Sequence, residues 1–258
     1  MHISSGDNPK LKLLARLQKV PAAYRKEGVI LLEGAHLWRE FVEYGQARYS
    51  VQAVFTSAET AFDLSGFEPL QHTVPHALLS KFASGAAHAH VLALLVKNTP
   101  AADQPNSTQT INCVALDEVQ DAGNVGTLMR TAAGAGAARV LLGAGSAAAW
   151  SPKVMRAARG AHFHLSVEEF QDTGALLAAL AAADHPLYAA DVSGSLNLFE
   201  ARLNTPCNWV FGNEGQGVSA ELLAACNQRI RIPQRGPQSL NVSAAAAVCL
   251  FEMVRRAD

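Results

Sequence analysis

The chain reads FGNEGQG at residues 211–217, directly after the apolar pair Trp209-Val210. Three glycines, at positions 212, 215 and 217, hold an Asn-Glu pair between them. Glycine tolerates positive φ angles and leaves no side chain in the way of a close neighbour. The stretch therefore predicts a loop at the end of a buried strand, with a backbone that comes close to something.

A second polar stretch follows, reading IPQRGPQSLNVS at residues 232–243, with a Gly-Pro turn at Gly236-Pro237. Ser239 and Asn241 stand just before an Ala-rich helical run, and both residue types cap helix N-termini, where backbone N–H groups are free. Two polar loops after strand-like segments are therefore predicted to converge on one pocket. Two ordinary turns of an α/β domain are the alternative.

A third dense stretch lies upstream, reading DEVQDAGNVGTLMR at residues 117–130. Together the three stretches resemble the signature motifs of the SpoU, or TrmH, family of RNA ribose 2′-O-methyltransferases, within the knotted SPOUT superfamily. The resemblance covers residues 111 to about 256. It implies a deep C-terminal trefoil knot, although unthreaded chains are the general rule. The family commonly has serine where Ala158 stands, and Asp-Pro-Gly or Asn-Pro-Gly where residues 121–123 read Asp-Ala-Gly.

Composition allows one large or two small domains, since the chain has 258 residues of which 49 % are hydrophobic. The sequence shows neither a bilayer-spanning apolar run nor a signal-peptide pattern, which predicts a cytoplasmic protein without a membrane partner. The net charge of −1 argues against a nucleic-acid binder, but residues 1–26 carry +5 and residues 121–160 carry +4. Two basic patches suit an anionic partner, and solvated helix faces are the alternative.

Cysteine and histidine spacing predicts neither a disulfide nor a metal site. The four cysteines are far apart and form no C-x-x-C pair, so we expect reduced, mostly buried thiols. Two H-x-H pairs occur, at 88/90 and 162/164, but nothing near them has ligand spacing. We interpret both pairs as structural and predict no bound metal.

Residues 1–97 are predicted to form a small α/β unit that begins with an amphipathic, basic helix. Expected elements are the helix from Asn8, strands at 29–32, 49–56 and 91–96, and helices from Glu33 and over 75–82. The unit resembles the L30e-like substrate-binding domain of many SpoU enzymes, through Asn8-Pro9-Lys10, Lys12, residues 25–28 and residues 32–34. It departs from the family at Ala89-His90, where Gln-Gly is usual. RNA-binding cations are then expected at Lys10, Lys12, Arg16 and Arg25.

Residues 98–110 are predicted to be a linker, and residues 111–258 the catalytic domain. Strands are expected at 111–116, 140–142, 162–165, 187–190, 208–211 and 229–232. Helices are expected at 125–135, 152–159, 174–183, 219–226 and 242–255. Such alternation predicts an α/β fold with a mostly parallel sheet covered by helices on both faces.

Arg130 is the sharpest candidate for chemistry. Its neighbours one turn away in the predicted helix, Gly126 and Gly134, leave it an uncrowded face, so its guanidinium can meet phosphate or ribose oxygens in bidentate fashion. A surface arginine beside glycines placed for helix packing is the alternative. The resemblance implies that this arginine contacts RNA and assists deprotonation of the 2′-hydroxyl. Because arginine stays protonated, we favour electrostatic activation over base catalysis.

The resemblance further implies that Asn124, Glu214, Ser239 and Asn241 belong to the catalytic pocket, with Glu214 orienting Arg130 or the substrate. Helix capping is the alternative role for Asn124, Ser239 and Asn241, and a solvated loop acid for Glu214. The implied methyl donor is S-adenosylmethionine, bound in a bent form by loop backbone. Its matching positions are Gly212, Ile232 and Leu240. The glycine loop differs in spacing from the dinucleotide fingerprint, which argues against a nucleotide-dependent oxidoreductase.

The sequence thus predicts S-adenosylmethionine-dependent methylation of a ribose 2′-hydroxyl in structured RNA. Ribosomal RNA is favoured through the L30e-like domain, with transfer RNA as the runner-up substrate. A non-catalytic RNA-binding or ribosome-assembly protein is the alternative from another class. A homodimer through the C-terminal domain is expected, since residues 134–138 (GAGAA) permit close approach.

Overall fold

The computed structural model describes residues 1–57, 63–84, 90–98, 110–236 and 239–257. These residues form two compact units, one of Met1–Ala102 with Trp150–Phe163, the other of Asp103–Ala149 with His164–Asp258. Four parts of the sequence predictions lie outside the described residues: positions 99–109 of the linker, His88, Ala89, and Pro237 of the Gly-Pro turn. The boundaries 1–97 and 111–258 stay a prediction.

Eleven strands and nine helices are assigned in the described part of the chain. The strands are β1 Ile30–Glu33, β2 Tyr49–Ser57, β3 Gln71–Val74, β4 Val91–Lys97, β5 Ile111–Leu116, β6 Arg139–Leu142, β7 Ser166–Glu169, β8 Leu187–Ala190, β9 Leu196–Asn197, β10 Cys207–Phe211 and β11 Gln228–Arg231. The helices are α1 Pro9–Lys19, α2 Ala23–Glu27, α3 Ala35–Glu40, α4 His76–Leu79, α5 Ala122–Gly134, α6 Pro152–Ala158, α7 Thr173–Ala181, α8 Ala220–Ala225 and α9 Val242–Ala257. A π-helical turn at Phe41–Gly45 extends α3, and a 3₁₀ turn at Ser80–Phe82 extends α4.

The first unit is built on a four-stranded sheet in the order β1-β4-β2-β3. Strand β4 pairs antiparallel with β1 and β2, and β3 pairs parallel with β2. Helix α1 confirms the predicted amphipathic pattern: Asn8 caps it, Pro9 occupies its first turn, and Leu11, Leu14 and Leu17 are buried. The exposed side of α1 therefore carries its lysines and Arg16.

The segment Trp150–Phe163 belongs to this first unit although it lies within the predicted catalytic domain. The ring centroid of Trp150 lies 5.3 Å from that of Tyr49, and the ring centroid of Phe163 lies 5.9 Å from that of Phe41. The strand predicted at 162–165 is wrong, since Ala161–Phe163 forms a 3₁₀ turn and β7 begins at Ser166. Phe163 and His162 are buried here through packing against aromatic rings and not through strand pairing.

The second unit is built on a seven-stranded sheet in the order β7-β6-β5-β10-β8-β11-β9. Every neighbouring pair in this sheet is parallel, which confirms the predicted α/β sheet flanked by helices. The sequence patterns missed β3, β9 and α2, which are four, two and five residues long. The trefoil knot implied by the family resemblance stays a prediction.

The strand order puts a topological switch point between β5 and β10. From β5 the chain steps outward through β6 and β7, then returns to fill the other side of the sheet with β8, β10 and β11. At such a switch point the loops after two adjacent parallel strands diverge, and ligands bind between them. Leu116 and Phe211, the last residues of β5 and β10, are paired in register. The first and third motif stretches therefore start side by side.

None of the helices in the described part of the chain combines the length and apolar character that crossing a bilayer requires. The four cysteines are free, as predicted, and three of them are buried. Burial raises the pKa of Cys207 and of Cys226 to about 12, so these thiols stay protonated at neutral pH.

The C-terminal helix α9 is fastened by a carboxylate–guanidinium cluster. Glu252 accepts hydrogen bonds from Arg255 at 2.8 Å and from Arg256 at 2.7 Å. Arg256 also donates to the carbonyl oxygens of Ala201, at 2.6 Å, and of Leu198. The pKa of Glu252 is lowered to about 2, chiefly by the hydrogen bond from Arg255. Burial acts in the opposite direction, and the hydrogen bond from Arg256 helps to outweigh it. The cluster ties α9 to the segment that follows β9.

Replacing Glu252 with Gln is expected to lower the free energy of unfolding by about 1.5–3 kcal/mol at neutral pH, because charge-assisted hydrogen bonds are lost. The folded-state pKa of Glu252 is lowered from 4.5 to about 2. The advantage of the wild type is therefore complete above about pH 5 and fades as the pH falls toward about 2. Urea unfolding across this range measures the difference, with Glu221→Gln, an exposed carboxylate of α8, as control. A difference between wild type and Glu252→Gln that stays constant with pH contradicts the assignment.

Candidate active site

A pocket of about 380 Å³ lies at the carboxyl ends of β8, β10 and β11 and at the start of α9. Its lining includes all three positions expected to bind the cofactor, Gly212, Ile232 and Leu240. Glu214 and Ser239 line it as well, so the first and second motif stretches converge as predicted. Leu240 keeps 42 % of its surface exposed, which leaves an apolar face open to a ligand.

The loop after β10 is organised by Asn213. Its backbone N–H and C=O pair with Gly217 at 3.0 and 2.8 Å, and its side-chain oxygen accepts from the N–H groups of Gly215 and Gln216. Its side-chain nitrogen donates to the carbonyl of Glu118 at 3.0 Å. Asn213 thus closes its own loop and ties it to the loop after β5. Sequence reasoning noticed Asn213 only as the neighbour of Glu214.

Only glycine fits at position 212, because the same loop folds back against it. A Cβ atom at Gly212 would lie 2.2 Å from the carbonyl carbon of Gly217 and from the nitrogen of Val218. Gly217 itself has a φ of +75°, a conformation that favours glycine. The predicted close approach is therefore confirmed, and what lies close is the backbone of the loop itself.

The buried carboxylate of Asp117 fixes the start of α8, the helix that follows the glycine loop. Asp117, the residue after β5, is 5 % exposed and accepts from the backbone N–H of Ser219 at 2.7 Å. Ser219 is the N-cap of α8. The carboxylate therefore satisfies an otherwise unpaired helix N–H and holds the end of the glycine loop against β5.

The three motif stretches meet in a chain of side-chain hydrogen bonds. The Asn124 amide nitrogen donates to Glu214 Oε1 at 2.7 Å. The Asn124 amide oxygen accepts from Asn241 Nδ2 at 3.0 Å. The Ser243 hydroxyl donates its single proton to Asn241 Oδ1 at 2.6 Å, and its oxygen lies 3.4 Å from the Asn124 amide oxygen. We name this set, Glu214, Asn124, Asn241 and Ser243, the amide relay.

Helix capping was the alternative role for both Asn124 and Asn241, and only Asn241 has that role. Helix α5 begins at Ala122, three residues before the predicted start, and its cap is Asp121, whose carboxylate accepts from the Asn124 N–H at 2.9 Å. The capping alternative for Asn124 is therefore wrong, and its side chain is free to bind Glu214. Asn241 does act as a cap, since its Oδ1 accepts from the Ser243 N–H at 2.9 Å. Its remaining amide nitrogen joins it to Asn124.

Ser243 belongs to this site although sequence reasoning did not select it. Its side chain is nearly buried, at 9 % exposure, donates to Asn241 and lies 3.4 Å from the amide oxygen of Asn124. The sequence did carry one indication of its role. Ser243 stands two residues after a capping asparagine, and a hydroxyl at that position commonly forms a hydrogen bond with the capping side chain.

Arg130 is exposed on α5, and the described part of the chain offers it no hydrogen bond or ion pair. Glu214 is bonded to Asn124 instead of Arg130. Ser239 is exposed and has no hydrogen-bond partner among the described residues. Both side chains are thus open to an incoming substrate, but neither is part of the relay.

The four cations predicted to bind RNA in the first unit have neighbours within that unit. Lys10 Nζ lies 2.7 Å from His72 Nε2, and Lys12 lies 3.1 Å from Asp7. Arg16 pairs with Glu27 at 2.7 Å, and Arg25 lies 5.8 Å from the ring centre of Tyr24. Exposed ion pairs of this kind contribute about 0–1 kcal/mol, so a phosphate can displace the carboxylate at small cost.

No group of three or more His, Cys, Asp or Glu side chains is placed to hold a metal ion within the described ranges. The relay contributes the carboxylate of Glu214 to the pocket, and the loop after β8 and strand β11 contribute the charged residues Asp191 and Arg229. The arrangement can orient a polar substrate and balance charge at a reacting oxygen.

Replacing Gly212 with Ala is expected to destabilise the protein by roughly 1–3 kcal/mol, because the new methyl group overlaps loop backbone that has no free space. Gly215→Ala is the matched control in the same loop, since its Cβ would meet only Asn213 Oδ1, at 3.4 Å. Thermal unfolding of the two variants measures the difference. Equal melting temperatures for Gly212→Ala, Gly215→Ala and the wild type contradict the close approach.

Comparison with known proteins gives consistent matches. The model of the SpoU rRNA Methylase family matches residues 112–251. An uncharacterized tRNA/rRNA methyltransferase of Synechocystis is 31 % identical over 98 % of this chain and 93 % of its own. The 23S rRNA (guanosine-2′-O-)-methyltransferase RlmB of a Burkholderia species is 32 % identical over 69 % of this chain and 74 % of its own. A solved RNA 2′-O ribose methyltransferase matches with a TM-score of 0.79 and 27 % identity, covering 100 % of this chain and 99 % of that one.

The family match spans strands β8, β10 and β11, which border the pocket, and all four members of the amide relay. A family model that covers more than half of the chain, and a relative that is similar almost from end to end, lead to one conclusion: the protein belongs to the SpoU rRNA methylase family.

Proposed function

We propose that the protein transfers a methyl group from S-adenosylmethionine to a ribose 2′-hydroxyl of structured RNA, with ribosomal RNA as the substrate class. The observation that carries the proposal is the amide relay beside a pocket lined by Gly212, Ile232 and Leu240. The named activity of the Burkholderia relative is the same reaction on 23S rRNA. The tRNA/rRNA name of the Synechocystis relative keeps transfer RNA as the second substrate class.

The pocket fits S-adenosylmethionine in its size and lining. Small-molecule sites usually enclose about 300–1,000 Å³ and combine apolar walls with few polar groups. Here Phe211, Ile232 and Leu240 supply apolar surface, while the glycine loop, Gln234 and Ser239 supply polar groups. The bound donor supplies an electrophilic methyl group.

We assign Arg130 to electrostatic activation of the 2′-hydroxyl. Its guanidinium stays charged at any physiological pH, is exposed, and has no partner among the described residues. A permanent cation beside the attacking oxygen stabilises the negative charge that develops as the proton leaves. The guanidinium also has the geometry to hold a phosphate in bidentate fashion.

The amide relay would position the reacting groups. Asn124 stands between the carboxylate of Glu214 and the capping Asn241, so its amide can neither rotate nor exchange donor and acceptor without losing both bonds. Because Asn124 is held in this way, it also fixes the direction in which the second carboxylate oxygen of Glu214 points. We propose that this carboxylate orients the ribose hydroxyl or the Arg130 side chain, with Ser239 at the rim of the same pocket.

We also propose that residues 1–97 serve as an L30e-like RNA-binding domain and residues 111–258 as the catalytic domain. The +5 charge of residues 1–26 supports the first assignment. Its candidate contacts are Lys10, Lys12, Arg16 and Arg25. A cytoplasmic location follows from an RNA substrate and stays a prediction.

A homodimer through the C-terminal domain is proposed from the exposed face of α5 and α9. The two helices pack together, and Phe251 of α9 keeps 49 % of its surface exposed. The exposed Gly134 of α5 lies beside it, since a Cβ there would be 3.9 Å from the Phe251 ring. A large aromatic ring next to small residues is a surface that a second copy can cover closely.

Mapping 2′-O-methyl groups across the stable RNAs of cells with and without this gene is expected to reveal one lost site in ribosomal RNA. Arg130→Ala should fail to restore that site, since loss of an oxyanion-stabilising contact costs on the order of 3 kcal/mol of barrier. Its affinity for S-adenosylmethionine should stay at the wild-type value. Arg202→Ala, an exposed cation of the same unit, is the control and should restore methylation. An unchanged methylation map removes the proposed function, and full turnover by Arg130→Ala removes the role of this arginine.

Light scattering at micromolar concentration is expected to give the mass of a dimer, and Phe251→Asp to shift it toward the monomer. The reason is that a carboxylate at the centre of a close helix interface is buried without a partner. Phe199→Asp replaces another exposed phenylalanine of the same unit, at 53 % exposure, and should remain dimeric. A monomeric wild type contradicts the proposed assembly.

A further inference from the structure

We infer that Asp191 and Arg229 form a positioning clamp that holds the loop Asp191–Gly194 as a wall of the donor pocket and thereby sets the affinity for S-adenosylmethionine. This inference rests on the proposed function, because it concerns the same pocket. Neither residue lies in the three motif stretches that predicted the site, and neither was a candidate from the sequence.

The clamp is a closed network of hydrogen bonds in which both carboxylate oxygens are used. Asp191 Oδ2 accepts from Arg229 Nε at 2.6 Å and lies 2.5 Å from Arg229 Nη2. Asp191 Oδ1 accepts from the backbone N–H and the hydroxyl of Ser193, each at 2.9 Å. Arg229 Nη2 also donates to the Ser193 hydroxyl oxygen at 2.8 Å. Each of the three residues therefore contacts the other two.

Backbone hydrogen bonds also fix the loop, one of them to β11 and one within the loop itself. The N–H of Asp191 donates to the carbonyl of Ile230 at 2.9 Å, and the N–H of Gly194 donates back to the carbonyl of Asp191 at 3.0 Å. A Cβ at Gly194 would lie 2.7 Å from the carbonyl oxygen of Arg229. The loop can therefore follow β11 at this distance only with glycine at position 194.

The clamped loop faces the pocket that contains the expected donor positions. Asp191, Val192, Ser193 and Arg229 all line it, together with Gly212, Ile232 and Leu240. Val192 has 72 % of its surface exposed, the highest value among the large apolar side chains after Met1. An apolar side chain held open at a pocket by a rigid polar base is suited to cover the apolar part of a ligand.

The clamp is stronger than an ordinary surface ion pair. The Asp191 side chain is 13 % exposed and the Arg229 side chain 45 %. Burial alone would raise the pKa of Asp191, but hydrogen bonds from Ser193 and Arg229 outweigh it and hold the pKa below its usual value. The carboxylate is thus ionised at neutral pH and accepts all these bonds. Charge-assisted bonds from a planar guanidinium also fix direction, which a loose ion pair does not.

The test is titration calorimetry of the full-length protein with S-adenosylmethionine, followed by methylation kinetics on the mapped RNA. Asp191→Asn and Arg229→Lys are each expected to raise the Kd for the donor about tenfold, because each loses charge-assisted bonds that fix the loop. The kcat at saturating donor and the KM for RNA should stay at their wild-type values. Ser193→Ala keeps the ion pair, and a smaller increase in Kd, about threefold, is expected.

Arg231→Ala is the matched control, since Arg231 is an exposed arginine two residues further along β11 that does not line the pocket. Its donor affinity should equal that of the wild type. The Kd of the double variant Asp191→Asn/Arg229→Lys for S-adenosylmethionine should not exceed the higher of the two single-variant values, because both changes open the same clamp.

The outcomes separate this inference from the proposed function. If the wild type binds the donor and the folded Asp191→Asn, Arg229→Lys and Ser193→Ala variants bind equally well, the clamp has no role in affinity and the inference is wrong. A loss of kcat at saturating donor without a change in Kd also overturns it. If the wild type itself does not bind S-adenosylmethionine, the proposed function fails, and the inference fails with it.

Discussion

The site depends on the parallel pairing of β5 with β10, in which Leu116 and Phe211 end side by side. That register starts the loops at Asp117 and Gly212 from neighbouring points although about ninety-five residues of sequence separate them. Parallel strands require such crossovers, and the edge where they end collects residues from distant parts of the chain. If the register slipped by one residue, the bonds of Asn213 to Glu118 and of Asp117 to Ser219 would both be lost.

The loops at this edge satisfy their own polar groups before any ligand arrives. The Asn213 side chain bonds to three backbone groups, and the buried Asp117 carboxylate accepts from a helix N–H. The same holds for Asp191 with Ser193 and Arg229. A donor pocket lined by backbone must keep its shape when empty, because a loop that had to be ordered on binding would reduce the affinity by its lost entropy.

Much of the fold was accessible from the sequence, since helix caps, glycines and apolar periodicity act locally. Pro9 and the leucines of α1, the strand before Gly212 and the helix after Asn241 were all recognised from neighbours within a few residues. Errors arose where distant packing decides. Residues 161–163 form a 3₁₀ turn where a strand was predicted, because Phe163 packs on Tyr49 and Phe41 from a distant part of the chain. Strand β9 has only two residues, and three of the four residues of β3 are polar, so neither shows an apolar pattern.

The sequence alone determined the residue types at the site: glycines where a backbone returns on itself, and amides and hydroxyls before α9. The three positions that the family resemblance implied, Gly212, Ile232 and Leu240, line one pocket, and their role as donor contacts stays a prediction. Only the tertiary structure decided which side chains meet. Asp121 and not Asn124 caps α5, which frees Asn124 to join Glu214 and Asn241. Ser243 and the Asp191–Arg229 pair became visible only then, because hydrogen bonds between distant residues follow from strand order and register, which no local pattern encodes.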